Sequence, residues 1–479
     1  MKFSNLNFML SIVIFTLLLV LNITGTLAAE NERSYPTHYI YNGKEISFEL
    51  LNGRLAVLRS AKTKSDGFAE KVAGVLNESA TEIDLGKTRW SMLELSPALS
   101  SKDVGKRIEK LSTISESEFV SPVFSLPNFD WVIVTPDILL RFKPEHIRDS
   151  DALLKSLAPD LEIVETDFGG LTGAYKLRSS SKNGFEVLAQ ANELSLQNQI
   201  VWAEPDFRFS ALSDDEVTQT QRTVDPGSTP NPATNRDRNF DGIETAIGLI
   251  PNDPGFPNLW GANHVSQFGG TPGVDADLPQ AWQITTGDSS IKILVFDNGV
   301  QQDHPDINQL PGQDFTGQNL PGGTASQTHG TRVAGVVTAK INNGLGTVGV
   351  ATDCRIISAR VRGDFLQSSW FVDALAYAES EGVRITTNST ATIQSSALDD
   401  KYASTYAGGM IHFKAAGNSD VSTVAYPGNL SSVNSVGALD NHVHRVFFSN
   451  YGPDLEFCAP GAYIYTTDKN SGYGFRAGS

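Results

Sequence analysis

Apolar positions change their rhythm three times along the chain. Beyond Pro254 they come as near-continuous runs, Ile291–Phe296, Arg355–Val361, Ile385–Asn388 and Met410–Ala416, separated by glycine-rich turns and by the helical stretch Trp370–Glu379. Uninterrupted apolar strands alternating with helices predict an α/β fold, a doubly wound parallel sheet covered on both faces. In such sheets function gathers beyond the carboxyl ends of the strands. Upstream, residues 131–211 read as strand (Trp131–Phe142), helix (Asp149–Leu157), strands (Leu161–Thr166, Gly173–Arg178), helix (Phe185–Leu196) and strand (Ile200–Phe209). That βαββαβ order predicts a small α+β ferredoxin-like domain. Residues 30–130 mix strand-like runs (Glu45–Leu51, Leu55–Leu58, Trp90–Leu95) with helix-like ones (Phe68–Leu76, Asp103–Leu111) in the same style. The segment EFVSPVF at 118–124 echoes VWAEPDF at 201–207, which leaves a degenerate duplication open.

Two segments stand outside these patterns. Residues 1–29 join a basic start to an apolar run, Phe8–Leu21, and to small residues at Ala28 and Ala29. This is the form of a secretory signal peptide, and the run is short for a membrane span. The expected localisation is therefore secreted, extracellular or periplasmic, with no membrane association after signal removal. Residues 212–252 are rich in Pro, Thr, Asn, Asp and Gly and predict a linker between the α+β part and a domain over 253–479. Within the linker, Asp237, Asn239, Asp241 and Gly242 resemble the start of a calcium loop, but position twelve is Gly248, so a solvated turn is the better reading.

Composition narrows the classes. The chain has 479 residues and a formal charge of −17, from 37 basic and 54 acidic residues, which disfavours nucleic acid as a partner. Cys354 and Cys458 are its two cysteines, too few for a disulfide scaffold or a cysteine-based zinc module, and they read as free buried thiols.

Three residues draw attention as chemistry. Asp297 ends an apolar strand. His329 heads an apolar helix rich in small residues. Asn418 follows Ala415-Ala416-Gly417 after another strand. Singly these are a turn former, a helix-start histidine and a Gly-Asn turn. Taken in order, VFDNGVQQDHPDI around Asp297, THGTRVAGVV around His329 and AAGN ending at Asn418 resemble the motifs of the subtilisin-like serine proteases. NGLGTVGVA at 343–351, Tyr426-Pro427, SVGALD at 435–440, FSNYGPDLEFCAPG at 448–461 and ITTGD at 284–288 extend the resemblance over roughly 251–479. WAEPDF at 202–207 resembles the end of the propeptide domain that precedes these proteases.

The resemblance implies a serine endopeptidase precursor. Asp297 would orient His329, His329 would take the nucleophile's proton, and Asn418 would donate to the oxyanion. Polypeptides would be the substrates, the chain's own 131–211 domain an inhibitor or chaperone in cis, and the enzyme a monomer. No cofactor is required; structural calcium is compatible with the family, its ligands unassigned. Two positions depart from the pattern. Asn298 stands where the family has Thr or Ser after the aspartate. The chain closes on Gly478-Ser479, which aligns with Gly-Thr of Gly-Thr-Ser-Met-Ala, so the nucleophile falls at the next position and the sequence is truncated just before it. A catalytically inactive pseudoprotease that binds or inhibits other proteases is the alternative reading. Residues 30–130 resemble nothing nameable.

Overall fold

The computed structural model describes residues 35–61, 67–85, 88–96, 101–210 and 248–479. The signal segment, the Asp237–Gly242 turn and most of the 212–252 linker lie outside the described residues. Among the described residues no helix is long and apolar enough to cross a membrane.

The described residues begin with a hairpin, β1 (His38–Tyr41) paired with β2 (Lys44–Ser47). Its two-residue turn is Asn42-Gly43, with φ of 47° and 75°. Positive φ at both central positions matches the right-handed strand twist, and Asn-Gly adopts it at little cost. The run expected at Glu45–Leu51 divides at Phe48 into the end of β2 and the start of the next strand.

Two units of identical chain order follow. The first is β3 (Glu49–Arg59), α1 (Phe68–Leu76), β4 (Ala80–Asp84), β5 (Trp90–Leu95), α2 (Ser101–Ser112) and β6 (Ser117–Leu126). The second is β7 (Phe129–Phe142), α3 (Ser150–Leu157), β8 (Leu161–Thr166), β9 (Ala174–Ser179), α4 (Gly184–Ser195) and β10 (Ile200–Ser210). Each is βαββαβ, and in each the fourth strand lies beside the first and the third beside the second: β6-β3-β5-β4 and β10-β7-β9-β8. Antiparallel pairing of β6 with β7 merges the two into one sheet. The echo between EFVSPVF and VWAEPDF thus falls on equivalent strands, β6 and β10.

The remaining chain starts with α5 (Leu278–Ile284), β11 (Lys292–Asp297), β12 (Gln309–Asp314) and α6 (His329–Thr338). Next come β13 (Arg355–Arg360), β14 (Phe365–Gln367), α7 (Ser368–Ser380), β15 (Ile385–Asn388) and α8 (Ser396–Ala407). It finishes with β16 (Ile411–Ala415), β17 (Asn434–Leu439), β18 (Phe457–Pro460), β19 (Ile464–Asp468) and β20 (Gly472–Arg476). Seven strands form a parallel sheet in the order β12-β13-β11-β15-β16-β17-β18. The period of two along β11 sends Ile293 and Val295 into the cluster that holds Ala334 of α6. Leu294 and Phe296 go to the opposite face, where the Phe296 ring stacks on Phe371 of α7 at 6.3 Å. Each such side chain contributes roughly 1.5–3 kcal/mol on full burial. Cys354 is buried as expected, whereas Cys458 is exposed, because β18 is the last strand of the sheet and has one unpaired edge.

Candidate active site

β11 is the strand from which the sheet is built in both directions, with β13 on one side and β15 on the other. A cleft opens at the carboxyl end of such a strand, and Asp297 is its last residue. Asp297 is fully buried. One carboxylate oxygen, Oδ1, accepts from Asn298 N at 2.8 Å; the other, Oδ2, lies 2.8 Å from Nδ1 of His329. The His329 side chain keeps 30% of its surface exposed.

The approach of α6 to β11 depends on Gly330. A Cβ there would stand 2.3 Å from the Gly299 carbonyl oxygen and 2.9 Å from Asp297 Cβ. Any larger residue would push the head of the helix, and His329 with it, away from the aspartate. Asn298, the unusual residue of the aspartate motif, accepts from Gly330 N at 3.0 Å through its side-chain oxygen. It therefore satisfies one of the orphan amides at the helix start, and the substitution is physically accommodated. Further along α6 the small residues admit close packing: a Cβ on Gly335 would collide with Thr466 and Thr467 of β19.

Asn418 lies just past the carboxyl end of β16, on the same rim of the sheet as Asp297. Its side-chain oxygen accepts from Ser479 N at 3.1 Å, which leaves its NH₂ group as the donor end. Ser479 Oγ in turn accepts from Gly417 N at 3.0 Å. The loop is fixed by Asn450, whose amide donates to the Gly417 carbonyl (2.8 Å) and whose side-chain oxygen accepts from Ser419 N (2.9 Å). Asn450 carried no role in the sequence reading, although it sits inside the quoted FSNYGPDLEFCAPG motif. Among the described residues no group of three or more His, Cys, Asp or Glu side chains is placed to hold a metal ion.

The second βαββαβ unit reaches this half of the molecule through alternate residues of β10. Glu204 is buried and accepts from Ser395 Oγ (2.6 Å), Ser396 N (2.8 Å) and Ala397 N (3.2 Å), at the N-terminus of α8. Asp206, fully buried, accepts from Ser369 N (3.0 Å) and the Gln367 side chain (2.6 Å), at the N-terminus of α7. Carboxylates belong at helix N-termini, where backbone amides lack partners and the helix dipole is positive. The end of β10 pairs antiparallel with β14, Ser210 opposite Phe365. Burial pushes the Glu204 carboxyl up to about 7, against the lowering effect of its three donors. Burial likewise pushes Asp373 on α7 up to about 7.

A histidine held by a buried aspartate at the rim of a parallel sheet has the geometry a general base requires. A family profile described as the Subtilase family matches residues 288–477. Thermitase of Thermoactinomyces vulgaris is 32% identical over 239 residues, covering 48% of this chain and 80% of thermitase. Subtilisin BL of Lederbergia lenta is 32% identical over 191 residues, covering 39% of this chain and 69% of that protein. The thermophilic serine proteinase of Bacillus sp. strain AK1 is 32% identical over 204 residues, which are 51% of its length. Among solved structures, a protease from Pseudoalteromonas arctica PAMC 21717 aligns at 26% identity with a TM-score of 0.41, over 48% of this chain and 82% of that one. The chain belongs to the subtilase family of subtilisin-like serine proteases.

Proposed function

We propose that the chain is the precursor of a secreted serine endopeptidase, with Asp297, His329 and Asn418 in its catalytic site and its nucleophile at the position following Ser479. The observation that carries this reading is the 2.8 Å contact between His329 Nδ1 and the buried Asp297. With Nδ1–H donated to the carboxylate, Nε2 is left as the base. It removes the proton from the serine hydroxyl as that oxygen attacks the peptide carbonyl. Asp297 stabilises the imidazolium so formed, and His329 then returns the proton to the leaving amine. The NH₂ of Asn418 donates to the oxyanion of the tetrahedral intermediate. Ser479 takes the place of the family's threonine, its hydroxyl occupied by Gly417 N, which supports a nucleophile one position further on.

Residues 131–211 act in cis as the prosegment that holds the enzyme inactive. Support comes from Glu204 and Asp206 at the two helix N-termini and from the pairing of β10 with β14. The signal-like residues 1–29 support export. No cofactor takes part in the chemistry.

The test is casein hydrolysis by the chain extended through a serine motif and its following helix. Asp297→Asn should lower turnover by roughly 10⁴, and Asn418→Ala by roughly 10²–10³. Full activity in Asp297→Asn would overturn the assignment.

A further inference from the structure

The prosegment reading leaves residues 35–126 without a task, although they touch the protease half directly. The hairpin β1–β2 does not stay with the unit it introduces. It crosses α4 of the second unit, where Asn192 donates to the His38 carbonyl at 2.9 Å and Tyr35 stacks on Phe185 at 4.5 Å. Its turn then lands on α8. Tyr41 OH donates to Asp399 Oδ2 at 2.7 Å, Asn42 Nδ2 donates to the same oxygen at 2.8 Å, and Asn42 N donates to Ser396 Oγ at 3.2 Å. Tyr39 OH donates to the Gln394 carbonyl at 2.9 Å. The next residue of the helix, Asp400, accepts from Trp202 Nε1 and Arg141 of the second unit, both at 2.7 Å. Adjacent carboxylates in one helical turn are thus held by different parts of the N-terminal region.

A second contact lies at the other helix. The Arg208 guanidinium sits 4.7 Å from the centre of the Phe365 ring and 5.8 Å from that of Trp370, both in the protease half. Trp90 of the first unit stands at 5.5 Å on the same cation. An arginine among aromatic faces gains cation–π attraction that grows as water is excluded. The hairpin's grip also leads toward the catalytic rim. Asp399 Oδ1 meets Tyr426 OH at 2.7 Å, and the neighbouring Ala425 N donates to the Ala416 carbonyl, two residues before Asn418.

We propose that residues 35–126 form a second docking module of the prosegment, which clamps residues 129–210 onto α7 and α8 through the Tyr39–Asn42 hairpin and Trp90. The surface that receives the hairpin is Gln394–Asp399, next to Tyr426; at Phe365–Trp370 the contact runs through Arg208 of the second unit, against which Trp90 stands. Because both modules belong to one sheet, each raises the effective concentration of the other at the protease surface, and either alone is released more easily. This rests on the prosegment reading of the second unit and adds to it the part that sets how fast the prosegment lets go.

Hydrogen exchange of the full chain tests it, read at two sites: Ser396 N and Ala397 N, which donate to Glu204, and Ser369 N, which donates to Asp206. Tyr41→Phe with Asn42→Ala should speed exchange about 10- to 100-fold at both sites, as expected for losing hydrogen bonds to a charged group. Lys44→Ala, an exposed hairpin control, should change neither. Tyr39→Phe provides a second, milder variant with the same direction at both sites. Acceleration confined to Ser396–Ala397, with Ser369 unchanged, would reduce the hairpin to a local brace and overturn the clamp. Unprotected Ser396 and Ser369 amides in the unsubstituted chain would instead remove the docked prosegment itself.

Discussion

Docking of the N-terminal region should weaken as pH rises from about 4.5 to about 7, and Glu204 is the main cause. Its carboxyl has an ordinary value of 4.5 and is pushed to about 7 by burial between β10 and α8. A raised acid pKa means that the docked state holds the proton more tightly than the undocked one. The contribution is therefore fully present below about 4.5 and is lost as pH climbs through about 7. At about 1.4 kcal/mol per pH unit, the difference is worth roughly 3 kcal/mol. Asp373, also raised to about 7 by burial and only partly relieved by the Lys176 ammonium, acts in the same direction. The assay is the exchange protection of Ser396, Ala397 and Ser369 amides at pH 5 and pH 8, corrected for intrinsic exchange. Protection should fall by roughly 100-fold or more between the two. Glu204→Gln, which cannot titrate, should remove about half of that fall, and Glu204→Gln with Asp373→Asn most of it. Protection that is flat or rises with pH in the unsubstituted chain, or a full fall persisting in the double variant, would refute the reasoning.

Two further outcomes follow from the packing. Gly330→Ala should cost the extended enzyme at least about 10²-fold in turnover, since its Cβ meets Asp297 and the Gly299 carbonyl; near-normal turnover would mean that α6 can shift without moving His329. Arg360 is fully buried and ion-paired with Asp314 at 2.9 Å, so Asp314→Ala should destabilise the protease half by about 3–5 kcal/mol, read as a lowered unfolding midpoint in urea.

The parallel sheet was legible because strands buried on both faces read as plain apolar runs, and Ile291–Phe296 and Arg355–Val361 lie within a residue or two of β11 and β13. Asp297, His329 and Asn418 were singled out by the wording of their motifs, since periodicity alone cannot tell a strand-end aspartate from a turn. Glu204 and Asp206 were not singled out. The signal was present in charged residues at alternate positions of an otherwise apolar strand, but their partners are amides more than 160 residues away. The three-residue strand β14 and the β19–β20 hairpin left no pattern long enough to register. The hairpin at Asn42-Gly43 had a clear turn dipeptide, yet where it lands, on Asp399, is set by tertiary packing that no local pattern encodes.

The central claim is that His329, oriented by Asp297, activates a serine at the position following Ser479. The direct measurement is labelling of the extended chain with a serine-directed fluorophosphonate, with the modified residue located by mass spectrometry. The account predicts label on the residue after Ser479, none on Ser479, and none anywhere in His329→Ala. Label on Ser479 itself, or undiminished label in His329→Ala, would contradict it.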